Sequence, residues 1–183
     1  NDKFMYKHFF KRILDFIITL LGFICISPFF LILCILVRCK LGSPVFFIQV
    51  RIGKDEKPFK IIKFRTMTDA RDKDGNLLPD TERFTRFGNF LRNSSLDELP
   101  ELINVIKGDM SLVGPRPEVR KYVDMYTEEQ MHVLDVRPGI TDLASIRYRN
   151  ENELLERVND PDKYYVEVIM PDKLRINLEY VAR

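Results

Sequence analysis

Hydrophobic and polar positions divide the chain into stretches of distinct character. From Phe16 to Val37 it reads FIITLLGFICISPFFLILCILV, 22 residues without a charge, interrupted only by Thr19, Gly22, Ser27 and Pro28. Such a run predicts a membrane-inserted helix, and a straight one would extend about 33 Å, enough to cross a bilayer. A cleavable signal peptide fits poorly, because the run is long and no small-residue cleavage site follows. Two features favour a re-entrant helix, one that dips in and returns. Pro28, behind Ser27, removes a backbone hydrogen bond at the midpoint and bends the helix. Both flanks are basic, with Lys7, Lys11 and Arg12 before the run and Arg38 and Lys40 after it. Positive charge is retained on the cytoplasmic side, so both ends are expected there. A kinked spanning helix is the alternative.

Beyond Lys40 the period changes. In SPVFFIQVRIG, Phe46, Ile48, Val50 and Ile52 alternate with Phe47, Gln49 and Arg51, and FKIIKFRTM follows after the turn GKDEKP. This pattern predicts a β-hairpin. Lys63 and Arg65 share a face of the second strand, and a solvated edge is the ordinary reading of such a pair. DARDKDGNLLPDTE is polar, carries Asp-Gly and Pro, and reads as a surface loop. RFTRFGNFLRN then places Phe84, Phe87 and Phe90–Leu91 at helical spacing among Arg83, Arg86 and Arg92. Alone it suits a core helix or an interfacial one equally. The apolar run nearby favours the membrane interface.

Composition bounds these readings. The 183 residues suit one domain of ordinary size, and a net charge of +2 makes no case for a nucleic-acid partner. Cys25, Cys34 and Cys39 sit in or beside the apolar run with no matching histidine, so they read as apolar filler in a reducing compartment. His8 and His132 are isolated. No Walker loop or dinucleotide fingerprint occurs, which removes kinase and dehydrogenase readings.

The chemistry concentrates in SSLDELPELINVIKGDMSLVGPRPE, Ser94 to Glu118. Ser95 through Glu98 fits a capping box, a structural role that would account for both acids. Pro100 spoils the fit, since at the fifth helical position it loses a hydrogen bond and crowds the carbonyl of Leu96. The helix then begins near Pro100, with Asp97 and Glu98 on an irregular turn before it. Either way they stand at a helix N-terminus, which favours anions. Lys63, Arg92 and Arg116 would complete a phosphate pocket if the fold gathers them.

This block, with FKIIKFRTM before it and VRPGIT after it, resembles the bacterial sugar transferase family, monotopic polyprenyl-phosphate phosphoglycosyl transferases that begin surface glycan assembly. The likeness runs from about Lys11 to the C-terminus. It implies an α+β protein, mostly helical with a small hairpin: a membrane-inserted segment over 1–40 and a catalytic domain over 41–183 on the cytoplasmic face of the bacterial inner membrane. It implies that Asp97 attacks the β-phosphate of a UDP-sugar, expels UMP and carries the phosphosugar before polyprenyl phosphate accepts it. Glu98 matches the family's second acid, associated with Mg²⁺. Lys63, Arg92 and Arg116 fall on basic positions near the phosphates, Arg149 and Asp162 on polar positions of the pocket, and Ser27-Pro28 on the break of the re-entrant helix. Such chemistry needs these types: a carboxylate nucleophile divides one displacement into two, and Mg²⁺ takes few protein carboxylates. One departure stands out. Many relatives read Gly-Trp after Arg-Pro-Gly-Ile-Thr, whereas this chain reads Asp142-Leu143. That variant is associated with modified N-acetyl amino sugars and puts the sugar in doubt. Two rivals stay open, a transferase or phosphohydrolase using another acceptor and a non-catalytic adaptor whose acids only cap a helix. The oligomeric state, homodimer included, is open too.

Overall fold

The computed structural model describes residues 9–183, so Lys7 and His8 lie outside the described residues. The secondary structure is mostly helical, with two small two-stranded sheets. In chain order the principal elements are α1 (Lys11–Leu41), β1 (Phe46–Ile52), β2 (Pro58–Phe64), α2 (Arg86–Asn93), α3 (Glu101–Lys107), β3 (Ser111–Val113), β4 (Gly139–Thr141), α4 (Leu143–Arg147), α5 (Glu151–Glu156) and α6 (Met170–Ala182). They pack as two compact units. One joins the chain through Gln49 to Lys60–Ile106, and the other joins Val50–Phe59 to Lys107–Arg183.

In the first unit the apolar run lies inside α1, a continuous helix of 31 residues with Pro28 in its interior. The Ser27 hydroxyl donates to the Ile24 carbonyl at 2.8 Å, a local back-bond beside the proline. One stripe of α1 is buried: Phe30, Leu33, Val37 and Leu41, at helical spacing, form a core with Phe64 and Leu91. Phe30, Phe46 and Phe64 meet ring to ring at centroid distances of 5.3–6.1 Å. Each side chain so buried contributes about 1.5–3 kcal/mol. The other faces of α1 leave Ile18, Leu21, Ile24, Leu31, Ile32 and Ile35 more than half exposed. An apolar surface of that extent suits lipid contact, and the helix is long and apolar enough to cross a membrane.

The hairpin forms as expected, β1 pairing with β2. Its alternation does not translate into one buried face, because Ile48 and Val50 are exposed while Ile52 is buried. The expected helix over RFTRFGNFLRN is shorter than its periodicity. It starts at Arg86, where the Thr85 hydroxyl accepts from the Gly88 amide at 3.0 Å, and Phe84 instead bridges to Met67. Its Leu91 is fully buried and its Phe90 about half exposed, so one face serves the core and the other does not. Gly88 permits this contact, since a Cβ there would stand 1.9 Å from the Thr66 carbonyl oxygen.

The second unit holds an unanticipated element, the parallel pair β3–β4, with Ser111 opposite Gly139 and Val113 opposite Thr141. Its strands are three residues each, β3 ending just before Gly114-Pro115 and β4 starting just after Pro138, too short for periodicity to reveal. Gly139 donates to the Pro115 carbonyl at 3.0 Å, and a Cβ at Gly139 would stand 2.1 Å from the Gly114 amide nitrogen. A separate core gathers Val133, Tyr165, Ile169, Met170 and Leu174, with Tyr122, Tyr126 and Tyr148 packed against it. At the hairpin tip, the Ile52 amide donates to the Glu118 carbonyl at 2.9 Å, and Arg51 pairs with the Glu118 carboxylate at 3.6 Å.

Candidate active site

The acids of the central motif do not form a capping box. Ser95 is left-handed at φ 58°, with no side-chain cap bond, so its hydroxyl cannot serve the helix. Leu96–Glu98 forms a single 3₁₀ turn, and α3 begins after Pro100 at Glu101. Leu96 and Leu99 bracket the two acids and pack against the core on α1. The turn is thus clamped by apolar contacts on both sides while Asp97 and Glu98 stay half-buried.

Lys63 reaches this turn from β2. Its ammonium lies 2.9 Å from Glu98 Oε1 and 3.4 Å from Glu101 Oε1. The solvated-edge reading of Lys63 and Arg65 is therefore overturned. Lys63 is 16% exposed, and Arg65 is 11% exposed and pairs with Asp69 at 2.7 Å. That pair, led by the hydrogen bond from Arg65, lowers the Asp69 carboxyl below its ordinary range. Asn104, fully buried on α3, fixes the strand against the helix: its amide donates to the Lys60 carbonyl at 2.8 Å and its oxygen accepts from the Ile62 amide at 3.1 Å. Arg12 closes the far end of α3, donating to the Val105 and Ile106 carbonyls at 2.5 and 2.8 Å. A cation on terminal carbonyls suits the helix dipole.

Glu101 and Asn104 were missed by motif reading. For Glu101 a signal was present, since a charge among the apolar positions of a helix demands a partner. Arg92 is exposed and sets its guanidinium 5.2 Å from the centre of the Phe84 ring.

The profile of the bacterial sugar transferase family matches residues 6–182. The chain belongs to the bacterial sugar transferase family. The sugar transferase EpsL of Bacillus subtilis is 49% identical over 157 residues, covering 86% of this chain and 77% of that protein. A UDP-glucose:undecaprenyl-phosphate glucose-1-phosphate transferase of Klebsiella pneumoniae is 42% identical, over 85% of this chain but only 35% of its own length. A UDP-N-acetylgalactosamine-undecaprenyl-phosphate N-acetylgalactosaminephosphotransferase of Aeromonas hydrophila is 39% identical, over 75% of this chain and 34% of its own length.

The remaining candidates of this sugar transferase lie in the second unit. Arg116 is half-buried between Pro115 and Pro117, and its backbone amide donates to Asp142 Oδ2 at 2.9 Å. Arg149 is exposed just beyond α4. Asp162 is exposed and pairs with Lys121 at 3.6 Å. The donor set at Asp97 and Glu98 is carboxylate oxygen, which fits Mg²⁺ rather than zinc. Among the described residues no group of three or more His, Cys, Asp or Glu is placed to hold a metal. A hard cation here would take most of its ligands from substrate and water. The cysteines are all free, and His132 pairs with Asp135 at the exposed surface.

Proposed function

We propose that this sugar transferase moves a sugar 1-phosphate from a UDP-sugar to undecaprenyl phosphate at the cytoplasmic face of the bacterial inner membrane, releasing UMP. One observation carries the reading: an adjacent Asp97–Glu98 pair is held on a turn clamped between leucines, with Lys63 2.9 Å from Glu98. Lys63 neighbours Glu98 through Oε1, and the two carboxylates take different roles. Asp97 attacks the β-phosphorus. A carboxylate oxygen–phosphorus bond forms, the bond to the UMP oxygen breaks, and UMP leaves with the electron pair. An undecaprenyl phosphate oxygen then displaces Asp97, giving the diphosphate-linked sugar and restoring the carboxylate. Glu98 and the donor diphosphate would hold Mg²⁺, which supplies positive charge where the phosphoryl group is transferred. Lys63 holds Glu98 in place, and the family resemblance assigns Arg92, Arg116, Arg149 and Asp162 to donor binding.

The apolar surface of α1, with Ser27-Pro28 near its midpoint, supports a re-entrant insertion that leaves both ends on one side. The exposed Phe90 on basic α2 supports an interfacial position. The reading extends to a modified N-acetyl amino sugar as the transferred group. The decisive experiment uses labelled UMP and a panel of UDP-sugars without lipid. Label is expected to exchange into the donor, and Asp97 to carry a phosphosugar by mass spectrometry. Asp97→Asn abolishes both while the fold persists, because asparagine is nearly isosteric. Exchange that requires lipid would show direct attack by the acceptor and refute the covalent step.

A further inference from the structure

The stretch Pro115-Arg116-Pro117 contains one backbone donor, because neither proline has an N–H. That donor, the Arg116 amide, has a specific acceptor. Asp142, at the end of β4, takes it on Oδ2 at 2.9 Å. The same oxygen accepts from the Asn177 side-chain amide on α6 at 3.0 Å, while Oδ1 accepts from the Ser145 amide at 2.5 Å and caps α4. Asp142 is 4% exposed and Asn177 5%. A buried carboxylate receiving three N–H donors is tightly fixed, since displacing it would strand a charge and its donors together.

The surrounding bonds narrow the freedom left to Arg116. Gly114 donates to the Thr141 carbonyl at 3.1 Å, and Gly139 donates to the Pro115 carbonyl at 3.0 Å. Pro117 confines the residue before it to extended backbone. Without Asp142 the chain around Arg116 would keep its strand bonds on one side and lose its tether at the arginine itself.

We infer that Asp142 is a positioning residue: it pins the only backbone donor of the Pro-Arg-Pro segment and so aims the Arg116 guanidinium at the donor's diphosphate, with Asn177 holding the carboxylate from α6. This rests on the proposed role of Arg116 as a phosphate anchor. It also gives the departure at Asp142-Leu143 a different meaning. A glycine at this position has no side-chain acceptor, so the device belongs to chains that carry the aspartate, and it acts on the phosphates whichever sugar is bound.

The test is a double-mutant cycle read by UDP binding, using calorimetry on the full chain in detergent, with thermal unfolding in parallel. Arg116→Ala is expected to weaken UDP binding. Asp142→Asn keeps volume and helix cap but presents an amide to two donors, and is expected to weaken UDP about tenfold in the Arg116 protein and less than about twofold in the Arg116→Ala background. The loss of thermal stability should be the same in both backgrounds. Asp142→Ser keeps a cap but falls short of Arg116; it carries the same expectation should Asp142→Asn not fold. Equal weakening in both backgrounds, or unchanged binding with lowered stability, would reduce Asp142 to a structural residue and overturn the inference. Normal UDP binding by Arg116→Ala would remove the phosphate anchor and the inference with it. An unmutated protein that binds no UDP would instead refute the proposed donor.

Discussion

Replacing Lys63 by methionine removes the ammonium that stands 2.9 Å from Glu98 and 3.4 Å from Glu101 and keeps most of the side chain's apolar length. Glu98 is 17% exposed and Glu101 only 2%, so neither carboxylate gains much water in exchange. Breaking a buried pair on one side costs about 3–5 kcal/mol, because a charge stays behind without compensation. Other contacts of Glu101 retain part of that, so about 3 kcal/mol is expected here. For a chain of this size, that lowers Tm by about 6–12 °C. Adding Glu101→Gln discharges the more deeply buried of the two acids. The double variant Lys63→Met/Glu101→Gln should therefore regain about half the loss, a coupling of about 1–2 kcal/mol. Thermal unfolding in detergent or nanodiscs reads both quantities. Additive losses, with the double variant less stable than Lys63→Met, would show that Lys63 and Glu101 do not compensate each other, and the electrostatic account of this site would fail.

Chelator should stop turnover and Mg²⁺ restore it, with Glu98→Gln needing far more metal; full activity in EDTA would exclude the proposed use of Glu98. Cysteines placed at Lys11 and Gly42 should both label from the cytoplasmic side. Pro28→Leu should move one of them outward, and opposite labelling in the parent would replace the re-entrant helix with a spanning one. The Tyr126 and Tyr165 hydroxyls are pushed up by burial and then by Glu118, and Tyr148 is pushed up to about 12 by burial and its hydrogen bond to Asp172. Groups raised in the folded state hold their stabilisation below the unfolded tyrosine value near pH 10 and lose it as pH rises through the folded values. Denaturation midpoints should thus fall above about pH 10 and fall less steeply in Tyr165→Phe, whereas a parallel decline would refute that assignment.

What the chain shows before folding is set by patterns that act locally. An uncharged run of 22 residues can satisfy its backbone in lipid only as a helix, so α1 was legible at once. Alternation marked the hairpin, and the position of Pro100 told against a regular helix across Asp97 and Glu98. The motif marked the acids and basic residues as a set, because the reaction restricts which side chains can serve. Tertiary structure decided what local patterns cannot encode. Lys63 becomes a half-buried partner of Glu98 and Glu101 because Asn104 bolts β2 to α3 across more than forty residues of sequence. β3 and β4 are too short to show a period and exist because two glycine-bearing segments can approach without Cβ atoms between them. Asp142, in sequence a mere substitution in a motif, acquires its meaning from three donors that reach it from Arg116, Ser145 and Asn177. A carboxylate's type is written in the chain, but the donors that surround it are brought by the fold, and burial makes their arrangement matter.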